Sequence, residues 1–198
     1  MRIGIYGGTF NPIHKGHVAL ARTLCKAALV DQVWFMVSPL NPLKQDQAAD
    51  LLPDPVRLHL ARLATARYPQ LRVSDFETRL PIPSYTVNLL DQLRGAWPQE
   101  DFVLVIGEDN WQRFSSWYKA DELRATCDIL VYPRGSSTSH ITLHRKDGTD
   151  EAVAPCPQYD ISSTRLRESL RAGDVRLARK WLQADVCRYL VANRCWTT

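Results

Sequence analysis

Short apolar runs alternate with amphipathic stretches along most of this chain, and the two periods predict strands and helices in turn. Residues 2–6 read as a strand. Residues 16–29 carry apolar side chains at Val18, Leu20, Ala21, Leu24 and Ala28, the spacing of one helix face. The unbroken apolar run 33–37 reads as a strand buried on both faces. A polar, proline-bearing loop over 38–52 follows. Asp54-Pro55 then supplies an N-cap and a first-turn proline for a helix ending near Arg67. Residues 71–74 predict a short strand, and Ser84 caps a predicted helix from Tyr85 to about Leu93. A buried strand over 102–106 ends at Gly107, short helices fall around 110–114 and 120–125, and 129–132 is a further strand.

The segment 135–157 is rich in Ser, Thr, Gly and charge, and predicts an edge strand at 140–144 within loop. Ser162 caps a helix over 163–172 that Gly173 stops. Shorter helices at 175–182 and 186–193 finish the chain. Alternating strands and helices predict an α/β fold, a Rossmann-like parallel sheet flanked by helices with a small C-terminal helical portion. In such sheets ligands bind beyond the carboxyl ends of the strands. The expectation is one domain over 1–198, with the C-terminal helices (about 162–194) packed on it.

Composition narrows the picture only a little. The 198 residues are 45% hydrophobic and 23% charged, as in ordinary globular chains. No apolar run approaches the ~20 residues of a membrane span. The chain enters a strand at once, which leaves no room for a signal peptide. Five scattered cysteines, none in a Cys-x-x-Cys pair, fit free thiols in a reducing cytoplasmic setting. The net charge of +4 suits an anionic small molecule and is too weak and too evenly spread for nucleic acid.

Candidate chemistry concentrates at Gly7-Gly8-Thr9-Phe10-Asn11-Pro12-Ile13-His14-Lys15-Gly16-His17, directly after the first strand. Two glycines permit a sharp turn and close approach of a ligand. Two histidines three residues apart lie on one face of the helix they open. That helix start adds N–H groups and a partial positive charge. Strand, glycine turn and paired imidazoles together describe a phosphate site. A second anion cradle is predicted at Ile161-Ser162-Ser163-Thr164-Arg165-Leu166-Arg167, where hydroxyls and a guanidinium crowd a helix first turn.

These residues resemble the HxGH nucleotidyltransferase superfamily and, within it, the nicotinate- or nicotinamide-mononucleotide adenylyltransferases. The resemblance runs from Ile3 to about Leu170. It implies transfer of the adenylyl group of ATP to a pyridine mononucleotide with release of pyrophosphate, and Mg²⁺ carried with the ATP. It implies ATP contacts from His14, His17, Gly7, Gly8, Phe10, Gly16, Gly107, Asp109 and Arg134. Ile161, Ser162, Ser163, Thr164 and one of Arg165 and Arg167 belong to the same set. Those two arginines are about 200° apart around a helix, so both cannot point the same way. Thr9 and Asn11 are implied on the acceptor side, with Lys44 reaching a phosphate. Tyr85 and Thr86 are implied at the pyridine substituent, and Trp117-Tyr118 at the ring.

Simpler readings stand beside several of these. Trp117 is also an ordinary core tryptophan, Thr86 part of a capped helix start, and Asp109 a cap for the next helix. Asn11 stands where many bacterial members have Asp, and Leu43 replaces the histidine of the family's Ser-Pro-x-x-Pro-His-Lys loop. The chain offers donors and cations, no obvious nucleophile and no metal-binding carboxylate cluster. Direct in-line attack by an already ionised phosphate therefore fits better than a covalent intermediate. Nicotinate mononucleotide is the expected acceptor. Nicotinamide mononucleotide, another superfamily reaction, and a catalytically idle nucleotide sensor are the alternatives, and oligomeric state stays open.

Overall fold

The computed structural model describes residues 1–39, 50–134, 139–157 and 159–196. Seven strands form one sheet in the order β3-β2-β1-β4-β5-β6-β7. They are β1 (Arg2–Gly8), β2 (Gln32–Val37), β3 (Leu71–Ser74), β4 (Asp101–Gly107), β5 (Ile129–Tyr132), β6 (His140–His144) and β7 (Asp150–Pro155). The first five strands pair in parallel. The helices are α1 (Lys15–Lys26), α2 (Asp54–Thr65), α3 (Thr86–Ala96), α4 (Glu108–Trp111), α5 (Ala120–Thr126), α6 (Ser163–Arg171), α7 (Arg176–Trp181) and α8 (Ala184–Ala192).

Alternate side chains of the central strands enter two different cores, as a pleated strand requires. Val33, Phe35, Val103, Val105 and Leu130 face one side with Leu24, Leu60, Leu166, Leu170 and Leu190. Ile3, Ile5, Met36, Leu104 and Ile129 face the other with Leu90, Leu93 and Leu123. Burial on both sides explains why these strands read as continuous apolar runs. Residues of α6, α7 and α8 share the first core with α1 and α2.

Four expectations about the elements need correction. The sheet is not parallel throughout, since β5-β6 and β6-β7 are antiparallel. The strand at 140–144 is not the edge. β7, read as loop, lies outside it, and with only Ala154 buried on that strand its apolar signal was weak. α1 stops at Lys26 rather than near Leu29. Ala28 takes φ 53°, and the Leu29 N–H reaches back to the Leu24 carbonyl, a helix stop usually marked by glycine. At α2 the N-cap is Pro53, and Asp54 pairs with Arg57 at 2.5 Å instead of capping.

That arginine organises the carboxyl end of the sheet. Arg57 is fully buried. It donates to the carbonyls of Leu52 (2.9 Å), Thr9 (2.7 Å), Ser38 (2.8 Å) and Pro39 (3.2 Å). It thereby ties the turn after β1, the exit of β2 and the start of α2 to one planar group. Burial lowers its pKa from the usual arginine value, opposed by Asp54 and Glu77. Replacing Arg57 by Met should cost about 3–5 kcal/mol, because Asp54 and four inward carbonyls lose their partner. Urea unfolding at unchanged m-value is the check. A loss below about 1 kcal/mol would show that water or another side chain takes over the carbonyls.

Candidate active site

Strand order reverses between β1 and β4, and a cavity of about 950 Å³ opens at the carboxyl ends of these strands. Its floor is the turn after β1. Gly7 has open space where a Cβ would sit, and a Cβ on Gly8 would press on the Phe10 ring at 3.1 Å. The left-handed backbone of this turn is carried by Phe10 (φ 45°), not by either glycine. Phe10 is buried and packs edge-on against Tyr6, Phe35 and His17, so its ring supports the site from below.

His14 is the N-cap of α1, with extended backbone, and not part of the helix face. His17 is the third residue of that helix. The rings nonetheless meet, stacked at 3.7 Å and 24°. The backbone N–H of His14 donates to Nδ1 of His17 at 3.2 Å, which leaves Nε2 as the protonated nitrogen of a neutral His17 ring. A Cβ on Gly16 would lie 3.1 Å from the His14 ring, so any side chain there would push that ring by a few tenths of an ångström. Burial and the nearby Arg134 charge depress the His14 pKa to about 3. His14 is therefore neutral at ordinary pH.

Gly107 ends β4 for a similar reason. A Cβ there would lie 2.5 Å from an Asp109 carboxylate oxygen, 3.1 Å from Arg134 Nε and 3.2 Å from the hydroxyl-bearing carbon of Tyr132. Arg134 meets Asp109 at 3.5 Å and donates to the Tyr132 hydroxyl at 3.1 Å. Asp109 does not cap α4, because the N-cap position is Gly107.

The first turn of α6 lies beside the start of α1, with Ile161 3.6 Å from where a Gly16 Cβ would sit, and Ile161, Ser162, Ser163, Thr164, Arg165 and Arg167 all line the cavity. Ser162 caps the helix by accepting the Arg165 N–H at 3.2 Å. The Ser163 hydroxyl donates to the Pro12 carbonyl at 2.9 Å and locks the two anion cradles together. The two arginines diverge as their spacing demands. Arg165 is exposed and pairs with Asp160 at 2.6 Å. Arg167 is buried, donates to the Asn11 carbonyl at 3.0 Å and lies 3.5 Å from Asp50.

At the other end of the cavity stand Tyr85, Thr86, Trp117 and Tyr118. The Tyr85 and Tyr118 rings contact each other at 4.7 Å. Trp117 packs on Phe114 and the second core, and its indole N–H is buried with no protein partner among the described residues. The cap expected from Ser84 falls to Tyr85. Ser84 lies instead beside Glu77, a buried carboxyl that accepts from the Ser38 hydroxyl at 2.8 Å. Burial raises the Glu77 pKa above the ordinary glutamate value, against the hydroxyls of Ser38 and Ser84 and the charge of Arg57.

Asn11, implied on the acceptor side, is engaged by the protein itself. Asn11 is buried outside the cavity lining. Its amide donates to the Asp50 carbonyl at 2.9 Å and its oxygen accepts from the Leu52 N–H at 3.0 Å. Both ends of an amide are needed there. An ionised Asp would set a carboxylate against a carbonyl, which accounts for Asn at this place. Leu43 and Lys44 lie outside the described residues. Among residues the sequence did not single out, Tyr6, Glu77, Tyr132 and Cys156 line the cavity. Burial pushes the Cys156 thiol up to about 11, so it is not a ready nucleophile. Arg57 was missed too, although a charge in register with Ala61 and Ala64 on an apolar helix stripe was its signal.

The cytidylyltransferase-like family model matches residues 5–169. A probable nicotinate-nucleotide adenylyltransferase of Bacteroides thetaiotaomicron is 43% identical over 192 residues, covering 96% of this chain and 91% of that protein. One of Bacteroides fragilis is 47% identical over 177 residues, covering 88% and 85%. Among solved structures, the Plasmodium falciparum nicotinic acid mononucleotide adenylyltransferase complexed with NaAD superposes with TM-score 0.77 at 18% identity, over 98% of this chain and 97% of that one. The motifs at 7–17 and 161–167, brought together on one cavity, are set in a known framework: the chain belongs to the cytidylyltransferase-like family and, within it, to the nicotinate-nucleotide adenylyltransferases.

Proposed function

We propose that this chain transfers the adenylyl group of ATP to nicotinate mononucleotide, giving nicotinate adenine dinucleotide and pyrophosphate. The observation that carries the reading is that the His14–His17 pair and the first turn of α6 line one cavity, joined by the Ser163–Pro12 hydrogen bond. The acceptor phosphate is already an anion and attacks the α-phosphorus directly. One P–O bond forms, the bond to pyrophosphate breaks, and no proton has to move first. The barrier is charge: two anions meet, and more develops on the leaving group.

The chain's residues answer that charge. His17 donates from Nε2 toward the α-phosphate region, and the neutral His14 ring stacks behind it without adding a titrating charge. Arg134 and the starts of α1 and α6 supply further positive potential. Thr9 and the amides after Gly7 hold the acceptor phosphate. Gly107 and Asp109 lie on the adenosine side. Trp117 stacks on the pyridine ring, with Tyr85, Thr86 and Tyr118 around its carboxylate. Lys44 adds a cation from the loop after β2. Mg²⁺ enters with ATP on its phosphate oxygens, and among the described residues no group of three His, Cys, Asp or Glu side chains forms a separate metal cage. A reducing cytoplasmic setting suits five free cysteines. Among the described residues no helix is long and apolar enough to cross a membrane.

Pyrophosphate release from ATP with nicotinate mononucleotide, run beside nicotinamide mononucleotide, tests the reading. Turnover with the acid and little with the amide is expected, and turnover with neither would end it. His17→Ala should lower kcat roughly 10²–10³-fold while ATP binding falls much less, and His17→Gln should recover part of the rate. Near-wild-type kcat in a folded His17→Ala protein would contradict the assignment.

The His14 environment makes a pH prediction. Its folded pKa of about 3 lies below the ordinary ~6.5. Between those values the unfolded chain binds the extra proton, so stability falls as pH drops through about 6.5. Glu77, with its raised pKa, acts in the opposite sense and at lower pH. From about pH 7 to about pH 5.5 the wild type should lose roughly 1 kcal/mol more than His14→Asn, measured by urea unfolding. Equal losses would show that His14 is not held neutral.

A further inference from the structure

Tyr6 and Tyr132 are both buried, and their hydroxyl oxygens lie 3.1 Å apart. Tyr132 is the last residue of β5, in register with Gly107, and its hydroxyl end sits directly over that glycine on the cavity floor. Arg134 donates to the same hydroxyl oxygen at 3.1 Å. Proton counting then fixes the direction of each bond. Tyr6 has one O–H, and Tyr132 is its hydrogen-bond partner. Among the described residues the other polar groups that act on it are Arg134, which has no acceptor, and Cys156, whose protonated sulfur is a poor one. If Tyr132 donated to Tyr6, the Tyr6 proton would be buried without a partner, which is costly. Tyr6 therefore donates. The Tyr132 oxygen already receives two donors, from Tyr6 and Arg134, and its own proton is turned away from both.

We propose that Tyr132 is a ligand-contacting residue whose phenolic O–H donates to a phosphate oxygen of ATP, held on that heading by Tyr6 and Arg134. The phosphate end is indicated by neighbours: the Tyr6 hydroxyl lies 3.1 Å from that of Tyr132, and the Tyr6 ring lies 6.1 Å from the His17 ring. Tyr6 is a positioning residue in this arrangement, since it acts through Tyr132. The proposal rests on the adenylyl-transfer reading and adds a donor that the motifs at 7–17 and 161–167 do not contain.

The test is a cycle of Tyr6→Phe, Tyr132→Phe and the double variant, read for stability and for kinetics. Tyr132→Phe orphans the buried Tyr6 hydroxyl and should unfold at lower urea. The double variant removes that orphan and should regain most of the lost stability. Activity should not follow. Both variants lacking the Tyr132 hydroxyl should lose roughly 10-fold or more in kcat/KM for ATP, with KM for the mononucleotide unchanged. Tyr6→Phe alone frees the Tyr132 hydroxyl to turn from the ligand and should lose part, but not all, of the kcat/KM for ATP that the double variant loses. A double variant with wild-type kcat/KM for ATP would overturn the proposal, and so would equal losses toward both substrates. If wild type released no pyrophosphate, the adenylyl-transfer reading would fall separately. Calorimetric binding of a non-hydrolysable ATP analogue would then decide the tyrosine proposal, and equal affinity of wild type and double variant would overturn it.

Discussion

The Arg57 guanidinium is the constraint on which the site depends. It lies fully buried behind the turn after β1 and receives carbonyl oxygens from Thr9, Ser38, Pro39 and Leu52. Strand ends that turn outward to meet a ligand leave carbonyl groups pointing inward, and buried carbonyls need donors. One planar cation with five N–H groups meets that need where several neutral side chains would not fit. Asn11 and Arg167 continue the arrangement, joining the turn to Asp50, Leu52 and α6. The ligand-facing surface is thereby held from behind by Arg57 and Asn11, which lie outside the cavity lining, and by Arg167, which also lines it.

In front of that frame the site is built from hydrogen-bond donors and cations. The two imidazoles stack against one another, and burial keeps His14 uncharged. Gly16 and Gly107 are close-approach glycines, each lacking a Cβ because catalytic-side groups fold over it. The hydroxyl of Ser163 ties the second anion cradle to Pro12 in the first. Two motifs 150 residues apart in the chain thus move as one surface. Such preorganisation suits a reaction whose difficulty is charge and alignment rather than bond polarisation by a nucleophile.

Much of this was legible in the sequence. The continuous apolar strands announced the mostly parallel sheet, and the segments 7–17 and 161–167 stood out as motifs that the structure brings to one cavity. What stayed hidden had weak local signals. β7 escaped because one buried alanine among charges leaves no period to detect. The end of α1 escaped because Ala28, not glycine, takes the left-handed position. Asn11 looked like a ligand contact because its place in the motif says nothing of Asp50 and Leu52, forty residues on. Tyr6 and Tyr132 read as core aromatics on two separate strands. Only the pairing of β1 and β5 around β4 brings their hydroxyls together over the cavity floor.

The central claim is that one phosphate chain lies between the starts of α1 and α6, over the carboxyl ends of β1 and β4. A crystal structure of the protein with nicotinate adenine dinucleotide tests it most directly. The account predicts the two phosphates between the His14–His17 pair and residues 161–165, the adenosine toward Gly107 and Asp109, and the pyridine ring on Trp117. A dinucleotide bound with its phosphates away from both helix starts, or with its pyridine ring on the Asp109 side, would contradict it.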